Sequence, residues 1–125
     1  MKIANILSIV LTLILGIISA QWIFAPEAAA NSLSMIYMEG EARNTQVRDF
    51  TAFFLGTTIM SFLSYITKEY QWIFSAGIVF LIAAIFNVLT SINYDTNIAV
   101  ASLISEIIFT FMAFTAAYIY KQNKL

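Results

Sequence analysis

Four long apolar runs, separated by short polar stretches, organise this chain. Ile3 to Pro26, Phe50 to Thr67 and Tyr70 to Tyr94 hold no acid or base other than tyrosine, and Thr96 to Tyr120 holds one, Glu106. At about 1.5 Å of rise per residue, each run can cross a hydrocarbon layer about 30 Å thick, the second with help from its flanks. The pattern predicts an all-α fold: an integral membrane, antiparallel four-helix bundle forming one domain over residues 1–125. The expected spans are 3–24, 47–67, 71–92 and 97–120, with an outer loop at 25–46. The first run exceeds the stretch of about 7–15 apolar residues usual in a signal peptide and reads as a span.

The outer loop carries a shorter pattern of its own. Pro26 suits the first position of a helix, Glu27 suits its positive end, and Ala29, Leu33 and Ile36 recur at helical spacing. A short interfacial helix over Pro26–Met38, ended by Gly40, is therefore expected. Asp95 or Thr96 is expected to cap the fourth span.

Within the spans, small and polar residues fall into stripes. Helices in a bilayer associate through close packing of small residues and through hydrogen bonds, so these stripes mark inward faces. They are Asn5, Ser8, Thr12, Gly16 and Ser19 in the first span, and Ala52, Gly56, Thr57, Ser61 and Ser64 in the second. The third has Ala76, Ala83, Asn87 and Thr90, and the fourth Ser102, Glu106, Thr110, Ala113 and Ala117. Ile78, Leu81, Ile82 and Ile85 form an outward apolar row. Aromatic residues near span ends read as interfacial anchors, among them Trp22 on the outer side and Tyr120 on the inner.

Composition narrows the class. With 61% hydrophobic and 10% charged residues, the chain is too apolar for a soluble domain of its size. Lys2, Lys68, Lys121 and Lys124 fall on one side of the four crossings and only Arg43 and Arg48 on the other, which predicts both termini in the cytoplasm. A net charge of −1 without a basic run argues against nucleic acid as a partner. The absence of cysteine and histidine removes the usual metal ligands, and no cofactor motif is present.

Glu106 is the informative exception, since an ionisable group within a span is costly and faces a bundle interior or a wet cavity. Counting from Thr96 places it about 15 Å from the outer end of its helix. Arg48 can reach inward along its aliphatic stem and is the expected cation partner. Asp49, Asn87, Gln21 and Ser102 complete the candidate ligand or proton site. Two readings of this cluster stand side by side: a polar network that fixes helix register, or the base of an outward-open site. No arrangement of catalytic residues is evident.

Pro26-Glu27-Ala28-Ala29, followed by Val47-Arg48-Asp49-Phe50 and Gly56, resembles the DoxX-like group of small four-helix bacterial membrane proteins. The resemblance spans roughly residues 20–60 and implies a four-helix bundle in the bacterial inner membrane, with Arg48 and Asp49 as positions of interest. Where members often carry a basic residue late in the third span, this chain has Asn87. The functional expectation is a non-catalytic accessory subunit of a larger membrane complex, or a binder of an apolar ligand, alone or as a homo-oligomer. The alternative is a proton-coupled small transporter or channel that uses Glu106.

Overall fold

The computed structural model describes residues 1–124, which form five helices: α1 (Lys2–Phe24), α2 (Pro26–Ser32), α3 (Gly40–Thr67), α4 (Tyr70–Asn93) and α5 (Val100–Asn123). Four of them, α1, α3, α4 and α5, are long and apolar enough to cross a membrane. Each boundary has a local cause. Proline disfavours helical backbone in the residue before it, so Ala25 adopts φ −142° and ψ 62°, ending α1 and letting Pro26 open α2. A left-handed Lys68 (φ 61°) and an extended Glu69 make the tight turn between α3 and α4.

Three boundaries differ from expectation. The interfacial helix stops at Ser32, because Ser34 turns left-handed (φ 59°) and the chain runs without helix to Glu39. Gly40 then opens α3 with φ +61°, a conformation glycine adopts freely, so the second long helix starts well before Val47. At the third, α5 begins at Val100 with neither Asp95 nor Thr96 as its cap. Instead Ser91 Oγ donates to the Thr96 carbonyl (2.7 Å), the Thr96 N–H donates to the Ser91 carbonyl (3.1 Å), and Asp95 takes a left-handed turn.

The long helices pack side by side in a ring in which α1 and α4 each contact both α3 and α5. Contacts between distant parts of the chain give their directions. The start of α1 meets the ends of α3 and α5, since Asn5 Oδ1 accepts from Lys68 Nζ (2.8 Å) and from the Tyr120 hydroxyl (2.9 Å). Neighbouring helices in the ring therefore run antiparallel.

That end of the ring is closed by polar contacts. Ser8 Oγ donates to the Tyr120 hydroxyl at 3.0 Å, and both residues are fully buried. Ser64 Oγ donates to the Glu69 carbonyl (2.6 Å) and accepts from the Ile73 N–H (2.8 Å), holding the α3–α4 turn. Lys124 pairs with Glu69 at the surface (2.7 Å). Elsewhere the interior hydroxyls of Thr12, Ser19, Thr57, Ser61 and Thr110 donate to carbonyls of their own helices. Such back-bonding lets polar residues sit in an apolar interior without an unmet donor.

Midway along the ring, aromatic side chains replace hydroxyls. Phe54, Phe53, Phe80 and Phe109 form an edge-to-face chain across α3, α4 and α5, with successive centroids 4.9, 5.4 and 5.1 Å apart. Each such contact contributes about 0.5–1.5 kcal/mol beyond the area it buries. The inward stripes largely hold, but Ala52 and Thr90 face outward. Trp22 and Tyr120 are not interfacial anchors: both are fully buried, Trp22 stacked on Phe50 at 4.9 Å.

Candidate functional site

Beyond the phenylalanine chain, toward the end where α1 and α4 finish and α3 and α5 begin, the ring opens. It encloses a cavity of about 480 Å³ lined from all five helices. Small-ligand sites typically occupy about 300–1,000 Å³. Phe53, Phe54, Phe80 and Phe109 form its floor, Trp22 and Phe50 a wall, and Ser32 and Leu33 at the end of α2 part of its rim.

Of the six expected site residues, four line this cavity: Gln21, Asp49, Ser102 and Glu106. Gln21 and Ser102 are half-buried and, among the described residues, their side chains take no hydrogen-bond partner from the chain. Glu106 sits on the inward ridge of α5 as its helical phase predicts, with Thr110, Ala113 and Ala117 buried below it. Its depth needs correction. Because α5 starts at Val100, Glu106 lies about 9 Å from the helix end, so it belongs to the open end instead of the midpoint.

Asn87 lies at the same level on α4 and joins Glu106 to the α4–α5 turn. Its Nδ2 donates to the Ala99 carbonyl (3.0 Å) and to Glu106 Oε1 (3.3 Å), while its Oδ1 accepts from the Ala99 N–H (3.1 Å). The reciprocal pairing with Ala99 fixes which way the amide faces, so its N–H must point at the carboxylate. Asn87 is thus the only hydrogen-bond partner of the Glu106 carboxyl among the described residues.

Arg48 does not join this group. The expected contact with Glu106 is replaced by a pair with the adjacent Asp49, Nε to Oδ1 at 3.0 Å, and by a long bond to Asn44 Oδ1 (3.5 Å). Both members of the pair are about 60% exposed, at 63% and 60%. Desolvation disfavours carrying a guanidinium inward when a carboxylate is already available in a wetter place. Arg48 therefore stays at the surface, and Asp49 touches the cavity only at its rim.

Gln46 performs on the other side of the opening the task that Asn87 performs at the α4–α5 turn. Buried at the start of α3, it accepts from the Met38 N–H (3.0 Å) and donates to the Ile36 carbonyl (3.0 Å). Arg43 adds a bond to the Met38 carbonyl (2.8 Å) and lies 4.3 Å over the Tyr37 ring. The segment between α2 and α3 is thereby strapped down beside the cavity. Gln46 was hidden in sequence because it stands in a polar stretch that reads as loop. The phenylalanines were hidden because an apolar residue facing lipid and one facing a cavity look alike.

These groups together can hold a molecule with an apolar body, offering it one carboxyl, one free amide and one free hydroxyl at the open end. Comparison with family models, with curated proteins and with solved structures found no match to this chain.

Proposed function

We propose that this chain is an integral membrane protein of four antiparallel spans that binds a small, largely apolar molecule in the cavity above the Phe53–Phe80–Phe109 floor. It has no catalytic activity of its own. One observation carries the reading: a ligand-sized cavity of about 480 Å³ opens at one end of a helix ring whose other end is tied shut. A protein needing only a stable bundle gains nothing from leaving that volume unfilled, since voids forfeit packing energy. The excess of lysine on the side of Lys2, Lys68, Lys121 and Lys124 supports an orientation with both termini in the cytoplasm and the open end outward. The resemblance of the Pro26–Ala29 and Val47–Phe50 segments to DoxX-like proteins supports a bacterial inner membrane.

Trp22 supplies the test, because it lines the cavity and the only other indole is Trp72. In a Trp72→Phe background, a neutral heavy-atom quencher, bromobenzene, should quench Trp22 along a saturating curve. Ala83→Phe, which fills the cavity from α4, should convert that curve to the shallow linear one of detergent partitioning. A linear response in both proteins contradicts the reading.

A further inference from the structure

We infer that the cavity selects a lipophilic organic cation, with Glu106 as its counter-charge; this rests on the ligand-binding reading above and names the class of ligand.

The distribution of charge is the first reason. Two acids and no base line the cavity. All the basic side chains are placed elsewhere. Lys68 is bound to Asn5 and to the Tyr65 carbonyl, Lys124 to Glu69, and Lys121 lies over the Tyr70 ring, all at the closed end, where Lys2 begins α1. Arg43 is bound to the Met38 carbonyl, and Arg48 neutralises Asp49. Of the two cavity acids, only Glu106 has no cation partner among the described residues, and its carboxyl takes one hydrogen bond, from an amide N–H shared with the Ala99 carbonyl. A carboxylate so weakly compensated, in a largely apolar enclosure, is stabilised most by a positive charge brought by the ligand.

The walls give the second reason, independent of Glu106. Trp22, Phe50, Phe53, Phe54, Phe80 and Phe109 line the space, and aromatic rings attract cations and repel anions where their faces are met. A neutral hydrocarbon uses the walls and leaves Glu106 unmet; an anion meets the wrong sign at both. An ammonium carried on an apolar or aromatic body uses both.

A pair of probes that differ only in charge separates these cases. Phenethyltrimethylammonium and its carbon isostere, (3,3-dimethylbutyl)benzene, share shape, with nitrogen exchanged for carbon. Each is titrated in a neutral detergent against bromobenzene quenching of Trp22 in the full chain carrying Trp72→Phe. The ammonium should displace bromobenzene, and Glu106→Gln should weaken it at least tenfold while leaving the isostere unchanged or tighter. Comparing each ligand across the two proteins cancels its partitioning into the micelle. Glu106→Asp should retain most of the preference for the ammonium, and isostere binding reports that each variant is folded. The inference is overturned if Glu106→Gln weakens both ligands equally, or if the ammonium binds both proteins alike. If bromobenzene itself never saturates, the ligand-binding reading fails instead.

Discussion

Tyr120→Phe isolates the contacts that close one end of the ring. The substitution keeps the buried ring and removes a hydroxyl that accepts from Ser8 Oγ (3.0 Å) and donates to Asn5 Oδ1 (2.9 Å). Two hydrogen bonds, one buried and one partly buried, at about 1 kcal/mol each set an upper expectation of about 2 kcal/mol. Two compensations reduce it. Asn5 Oδ1 keeps its bond from Lys68 Nζ, and Ser8 Oγ can turn to the Ala4 carbonyl, as Thr12 and Ser19 do with carbonyls one turn back. The expected cost is therefore about 1–2 kcal/mol. Ser8→Ala should cost about 1 kcal/mol, and the double variant less than the sum by about 1 kcal/mol, because both single changes remove the same bond. Reversible unfolding in mixed micelles with increasing SDS fraction, followed by circular dichroism, measures all four proteins. Additive costs, or a Tyr120→Phe protein as stable as the parent, would refute the assignment of this contact as a tie between α1 and α5.

Four further substitutions probe other parts of the ring. A Cβ added at Gly77 would lie 2.6 Å from Phe114 Cε1 and 3.1 Å from Ala113 Cβ, whereas one at Gly16 meets only Thr58 Cγ2 at 3.6 Å. Gly77→Ala should thus destabilise by about 1–3 kcal/mol and Gly16→Ala should be neutral or stabilising in the same SDS titration. Asn87→Leu removes both bonds to Ala99 and the one to Glu106; with Ala99 exposed enough for water to substitute, the cost should be about 1–2 kcal/mol, with faster amide hydrogen exchange across residues 94–103 as its signature. Arg48→Ala, which breaks an exposed pair and a long exposed bond to Asn44, should change stability by less than about 0.5 kcal/mol and leave bromobenzene binding intact.

The pattern along the chain revealed the four long helices because an uncharged run long enough to cross a bilayer has few other uses. The fourth was legible in finer detail: Ser102, Glu106, Thr110, Ala113 and Ala117 form a single ridge in sequence, and the structure turns that ridge inward. Rows such as Ile78, Leu81, Ile82 and Ile85 were equally legible and lie on the outside. Two kinds of feature were not. Aromatic residues near a span end look the same whether they anchor at an interface or pack inside, and only the neighbours Phe50, Ser8 and Asn5 distinguish the buried positions of Trp22 and Tyr120. Side-chain partners were the other difficulty. Reach alone made Arg48 a candidate for Glu106, but the adjacent Asp49 offers the same charge at a lower desolvation cost. The helical start at Gly40 was obscured for a related reason: Gly40 to Gln46 carries no apolar period, and its helix is held by contacts to Ile36 and Met38 that no local pattern announces.

Whether the cavity is a ligand site can be asked directly by photolabelling in lipid nanodiscs with a neutral phenyl diazirine, with labelled residues mapped by peptide mass spectrometry. The predicted result is label concentrated on Phe50–Phe54 and Ser102–Phe109, reduced by bromobenzene and largely lost in Ala83→Phe. Label spread over the outward row of Ile78, Leu81, Ile82 and Ile85, with no enrichment in the cavity lining and no response to Ala83→Phe, would contradict it.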